Sequence, residues 1–275
     1  MTVSPMRFFL SLCALLLLPA AIVHAQEEVP FITTPDHVTL AMLQLAGVTA
    51  SDHVIDLGSG DGRIVITAAK RFGASGLGVE IVPDLVRKSR ENSRAAGVSA
   101  RTEFLEQDLF NTDLRRATVV TMYLLPEVNL QLRPRLLALA PGTRIVSHDW
   151  DLGDWAPDRT LTVDVPNKAV GLDKRSRLHL WVVPAAAHGL WCSASASLQI
   201  TQRFQTFSAT LMDQRRATPV MVFDGRVEGN TLRAQGARAA VLQVQRDALL
   251  LASVDNVAMA FAGKTFARAQ GARCP

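Results

Sequence analysis

The chain has 275 residues, 48% hydrophobic and 20% charged, which is enough apolar mass for one large or two modest cores and excludes a disordered chain. Its formal charge of +4 is unevenly spread: residues 26–183 carry 18 Lys+Arg against 20 Asp+Glu, and residues 184–275 carry 10 against 5. That modest basic excess in the last third is an ordinary solvated face or a contact for an anionic membrane surface or acidic protein, and no nucleic acid is predicted as a partner.

Arg7 precedes an apolar run over residues 8–23, and Val23-His24-Ala25 offers small residues at the −3 and −1 positions of a cleavage site before Gln26. The run is shorter than the roughly 20 residues of a membrane helix. We therefore expect a signal peptide over residues 1–25, cleavage after Ala25 and a periplasmic protein, with an uncleaved N-terminal anchor as the alternative. Either way Arg7 stays inside and the body lies outside the cytoplasm. Cys13 would leave with this segment. Cys192 and Cys274 remain, and an oxidising compartment lets them pair; two unrelated buried thiols are the alternative.

Thr34-Pro35-Asp36 ahead of Val38, Met42, Leu43 and Leu45 predicts a helix with Thr34 as cap and Pro35 at its first position. An apolar strand over 54–57 ends beside Asp56, glycines follow at alternate positions (Gly58, Gly60, Gly62, with Ser59 between), and a helix runs over 63–72. A second strand over 76–80 ends in Glu80, and a helix entered through Pro83 ends near Gly97. A third strand runs over 103–109 and carries Asp108 and Leu109. The fourth spans 119–125, a helix 127–139, and a fifth strand, 143–147, runs into His148-Asp149-Trp150-Asp151. Strands alternating with helices predict crossover units and a parallel sheet, with ligands at the carboxyl ends of its strands. Residues 160–165 and 178–183 predict a closing antiparallel hairpin. From Gly189 onward, short alternating runs broken by Gly and Asn predict a β-meander of about 85 residues, although alanine-rich stretches at 239–244 and 248–253 leave helix open. The organisation expected is an α/β domain over 26–185 and a small mainly-β domain over 186–275.

Glycines spaced like this let backbone approach a ligand closely. A dinucleotide fingerprint, G-x-G-x-x-G, would need glycine at position 63, which is Arg63, so a nicotinamide-dependent dehydrogenase is disfavoured. Instead D-L-G-S-G-D-G-R-I, G-V-E, D-L-F and Y-L-L-P-E resemble the class I S-adenosylmethionine-dependent methyltransferases, within the branch of protein-lysine methyltransferases related to the mitochondrial enzymes acting on the adenine nucleotide translocase and the ATP synthase c-subunit. The resemblance spans residues 31–155. It implies a Rossmann-like sheet with a reversed terminal strand, S-adenosyl-L-methionine as cofactor and a lysine side chain of a protein as acceptor. It further implies that Asp56 and the turn Gly58, Ser59, Gly60 and Gly62 pack on the amino-acid and ribose part, that Glu80 accepts the ribose hydroxyls, and that Asp108 and Leu109 meet the adenine. Tyr123 would line the lysine channel. The Pro-Pro-Tyr found after strand four in many amino-methylating enzymes of this fold is replaced here by Tyr123-Leu124-Leu125-Pro126. His148, beside a carboxylate, is a candidate general base. No metal is expected from His148, Asp149 and Asp151, because neighbours along a strand face opposite ways. Export conflicts with a donor made in the cytoplasm, so a non-catalytic exported ligand-binding or docking module on the same fold is the alternative function.

Overall fold

The computed structural model describes residues 32–169 and 173–274; the expected signal peptide lies outside them. Helix α1, Asp36–Leu45, begins one residue later than the sequence suggests: Pro35 is its cap and, with no polar side chain, makes no cap hydrogen bond, while the Thr34 hydroxyl is bonded to His148 Nδ1 at 3.1 Å. Then come β1 (His53–Leu57), α2 (Arg63–Phe72), β2 (Ser75–Glu80), α3 (Pro83–Ala95), β3 (Thr102–Glu106), β4 (Val119–Met122), α4 (Pro126–Leu137), β5 (Arg144–His148), β6 (Arg159–Asp164) and β7 (Arg175–Val182). They form a seven-stranded sheet in the order β3-β2-β1-β4-β5-β7-β6. The first five strands in that order are parallel, and β7 runs antiparallel to both β5 and β6. Order and directions match the expected Rossmann-like class I sheet with its closing hairpin. β3 and β4 are shorter than expected, so Asp108 and Tyr123 stand just past their strands.

The side-chain alternation of β1 explains the layers. Val54 is fully buried against Val38, Met42 and Leu43 of α1 and Ile64 and Ala68 of α2. Ile55 and Leu57 point the other way, against Leu132 and Leu136 of α4 and the indoles of Trp155 and Trp181.

The C-terminal part is more than a meander. Strands β8 (Gly189–Cys192), β9 (Ala196–Arg203), β10 (Thr206–Asp213), β11 (Met221–Glu228), β12 (Thr231–Ala234), β13 (Ala240–Gln245), β14 (Ala248–Val254) and β15 (Thr265–Arg268) close into a barrel. The closing ladder pairs Ala267 with Cys192 and Arg268 with Trp191, and the Arg268 guanidinium lies 4.2 Å above the Trp191 ring. Alternate residues such as Leu198, Ile200, Phe207, Leu211, Phe223, Leu242 and Phe266 fill the inside, as small barrels require. The alanine-rich stretches are β13 and β14. Cys192 and Cys274 form a disulfide with Cα atoms 5.6 Å apart.

Sheet and barrel are joined at the connection 150–158. Asp158 accepts from Val182 N of β7 (2.8 Å), Arg226 Nη2 of β11 (2.7 Å) and Gln205 Nε2 (3.2 Å). Gln205 also donates to the Ala156 carbonyl at 2.7 Å, and Phe204 stacks on buried Trp155 at 6.0 Å.

Candidate active site

The carboxyl ends of β1, β2, β4 and β5 converge on one cluster. The chain leaves β1 in a turn folded back on β2, with Gly58 N and Ser59 N both donating to the Val79 carbonyl at 2.9 Å. Gly58, Gly60 and Gly62 all have positive φ. A Cβ would also collide: 2.8 Å from Leu124 Cδ2 at Gly58, and 2.7 Å from the Phe104 ring at Gly62. Glycine is thus required twice over, by dihedral and by space.

Glu80, the last residue of β2, is buried and held by backbone. Gly60 N donates to Oε2 at 2.9 Å, while Ile81 N and Val82 N donate to Oε1 at 2.9 and 3.0 Å. A carboxylate has about four acceptor positions, so about one stays open to a sugar hydroxyl. Asp56 is wholly buried and accepts from Thr121 Oγ1 at 2.7 Å. Burial, then the nearby carboxylates of Glu80 and Asp61, push its pKa up to about 8. Asp61 moves the other way: burial raises it, but the Arg63 guanidinium, bonded to both its oxygens at 3.0 and 2.7 Å, more than offsets this. The Ser59 hydroxyl is buried and unpartnered, a condition uncommon for interior polar atoms unless a bound molecule completes them. Asp108 caps a short 3-10 turn, Leu109–Asn111, accepting from Phe110 N at 2.8 Å and Asn111 Nδ2 at 3.2 Å. The positive-φ glycine turn, the orphaned Ser59 hydroxyl and the backbone-held carboxylate of Glu80 fit the polar groups of a nucleoside such as S-adenosylmethionine.

Beside the cradle stands Tyr123, the only tyrosine of the chain. Its ring stacks on His148, centroids 3.9 Å apart, and burial followed by the Asp149 charge pushes its pKa up to about 12. His148 is 1% exposed, with Nδ1 at the Thr34 hydroxyl (3.1 Å) and Nε2 at the Ser176 hydroxyl (2.8 Å). Burial pushes its pKa down to about 4, with the charge of Lys168 adding and that of Asp149 opposing. Asp149 has a left-handed backbone, φ 64°. Its Oδ1 accepts from Arg177 N at 3.0 Å, and its Oδ2 lies 2.6 Å from Lys168 Nζ and 3.6 Å from His148 Nε2. A cavity of about 130 Å³ opens here among Ile32, Thr33, Pro35, Tyr123, His148, Lys168 and Ser176. A larger hollow of about 270 Å³, between α3 and β3 (Arg90, Ser93, Arg94, Glu103), lies at the outer edge of the sheet, away from the strand ends and from this chemistry.

Asp56, the glycine turn, Glu80, Tyr123 and His148 are thus brought together, with Asp108 and Leu109 beyond β3. Sequence reasoning missed Thr34, Arg63, Ser176 and Lys168 as members of the cluster. Arg63 was open to discovery, since it follows Gly62 directly. The Thr34, Ser176 and Lys168 contacts join residues far apart in the chain and leave no local pattern. Among the described residues no group of three His, Cys, Asp or Glu is placed to hold a metal.

The family model described as the ANTKMT methyltransferase domain matches residues 56–159. The protein-lysine N-methyltransferase of Saccharolobus islandicus (strain REY15A) is 43% identical over 142 residues, 51% of this chain and 88% of that protein. The adenine nucleotide translocase lysine N-methyltransferase of Mus musculus is 38% identical over 105 residues, 38% of this chain and only 46% of its own length. Among solved structures, an RNA methyltransferase from Salinibacter ruber in complex with S-adenosyl-L-homocysteine is 51% identical, with a TM-score of 0.51 over 56% of this chain and 95% of that one.

Proposed function

Because the chain belongs to the S-adenosylmethionine-dependent methyltransferases of the branch that includes the archaeal protein-lysine N-methyltransferase, we propose that it transfers a methyl group to the side-chain nitrogen of a protein lysine. The observation carrying this reading is a lysine ammonium already held by Asp149, 2.6 Å from Oδ2, beside a cavity walled by Tyr123, whose neighbour Leu124 packs on Gly58. When bound, S-adenosylmethionine supplies an electrophilic methyl on a sulfonium. The chain's own residues do the rest. Gly58, Ser59, Gly60 and Gly62 let backbone pack on the donor, and Glu80 accepts a ribose hydroxyl on its open position. Asp56 closes the floor, and Asp108 with Leu109 borders the base. Tyr123, stacked on His148, walls the acceptor together with Ile32 and Pro35. Asp149 orients that nitrogen and takes up its proton. His148, with hydroxyls at both nitrogens and a depressed pKa, is the platform that positions the Tyr123 ring rather than the base.

Calorimetric titration of the purified protein with S-adenosylmethionine is expected to give micromolar binding. Glu80→Ala should weaken it roughly 10- to 100-fold, as loss of charge-assisted hydrogen bonds worth about 1.5–3 kcal/mol implies. No binding to the wild type would leave the non-catalytic module instead. The likeness to the RNA methyltransferase of Salinibacter ruber favours a second reading, an RNA acceptor. Incubation with methyl-labelled donor and either a protein lysate or total RNA separates the two by where the label sits.

We further propose that the protein is exported and cleaved after Ala25. The Cys192–Cys274 disulfide supports this, since such bonds persist in oxidising compartments. The basic excess of residues 184–275 supports a contact between the barrel and an anionic membrane surface.

A further inference from the structure

The ammonium held at Asp149 belongs to the protein itself. Lys168 lies on the connection between β6 and β7, with its side chain 14% exposed. Its Nζ donates to the Arg175 carbonyl at 2.7 Å and forms an ion pair with Asp149 Oδ2 at 2.6 Å. A partly buried ammonium needs charge and hydrogen bonds to compensate its lost hydration, and Asp149 is fixed for that task. Its N–H donates to the Arg177 carbonyl at 2.7 Å and its Oδ1 accepts the Arg177 N–H at 3.0 Å, so its other oxygen is turned to Lys168. The cavity of about 130 Å³ lies beside this side chain, with Lys168, Tyr123 and His148 among the residues that line it.

Two contacts tie this cavity to the glycine turn. Arg63, directly after Gly62, donates to the Thr34 carbonyl at 2.8 Å, and the Thr34 hydroxyl bonds to His148. Leu124, next to Tyr123, fills the space a Gly58 side chain would need. Of the other four lysines, Lys70, Lys88 and Lys174 are exposed and Lys264 lies on the barrel, bonded to Ser195.

Resting on the methyltransferase reading above, we propose that Lys168 occupies the acceptor position in cis and is methylated by the protein's own active site. Nζ gives a proton to Asp149 Oδ2. Its lone pair then forms the N–C bond to the donor's methyl carbon while the C–S bond breaks and its electron pair stays on sulfur. The products are methyl-Lys168, S-adenosylhomocysteine and a proton passed from Asp149 to solvent. A monomethylated ammonium keeps two N–H donors, enough for both Asp149 and the Arg175 carbonyl; a second methyl would break one of these bonds. Monomethylation is therefore the expected end state, and the modified side chain blocks the cavity until it swings out.

The test incubates the full-length purified protein with methyl-labelled S-adenosylmethionine and no other acceptor, and reads peptides by mass spectrometry. One methyl on Lys168 is expected, at a rate per molecule unchanged by tenfold dilution and lost in Lys168→Arg. Label only on other lysines, or a rate falling with dilution, overturns the proposal. A second measurement needs no donor: n-butylammonium should bind the Lys168→Ala variant at least tenfold more tightly than the wild type, and equal binding overturns the claim that Lys168 fills the acceptor position. Calorimetry with the donor keeps the two readings apart. Donor bound but Lys168 unlabelled sinks self-methylation alone, whereas no donor binding sinks the methyltransferase reading with it.

Discussion

Asp56 is the residue on which burial acts most plainly. In the folded protein it ionises only near pH 8, against an ordinary value of 3.8, so between those values unfolding releases a proton. Its contribution to stability is therefore full below about pH 4 and is lost as pH rises toward 8. Asparagine cannot ionise and still offers an oxygen to Thr121. In thermal melts of the donor-free protein, the melting temperature of Asp56→Asn relative to wild type should climb steadily from pH 4 to pH 8. A flat difference would mean that Asp56 titrates normally. His148 works in the opposite sense, since its depressed pKa means stability lost as pH falls through 6.5 toward 4, but it is common to both proteins and cancels in the comparison. Sequence alone put Asp56 at a strand end beside glycines; its protonation depends first on the burial that the folded layers impose, and then on the nearby carboxylates of Glu80 and Asp61.

At the scale of elements, the connection 150–158 is a structural joint disguised as a loop. Trp155 is fully buried, stacks on Phe204 of the barrel and receives the Trp181 indole N–H on its carbonyl at 2.7 Å. Trp155→Ala should cost about 3–5 kcal/mol, typical of a buried indole removed from a core, and should lower the midpoint of denaturant unfolding. An unchanged midpoint would show that the joint contributes nothing. The sequence carries the sheet strands well because Val54, Ile55, Val119, Val120 and Ile145 are uninterrupted apolar runs between turn residues. It carries less where partners are remote. Thr34 reads as a helix cap, but its hydroxyl is taken by a histidine 114 positions away. Lys168 reads as one charge in a polar turn, and only the fold brings it to Asp149. The barrel reads as a meander because each hairpin is local, whereas closure depends on β15 reaching back to β8.

For the molecule as a whole, the Cys192–Cys274 bond closes a loop of 82 residues and should contribute roughly 4 kcal/mol in the chain-entropy model. Reduction, or Cys274→Ser, is expected to lower the barrel's melting temperature while donor binding to the sheet survives. Loss of both together would make sheet and barrel one cooperative unit. The same bond sits at the seam where β8 and β15 meet, so the strand that enters the barrel and the segment that leaves it are fastened to each other. A mechanical pull between the sheet and Cys274 therefore bypasses the barrel, its tension crossing from one sulfur to the other. Only in reducing surroundings do the eight strands enter the load path.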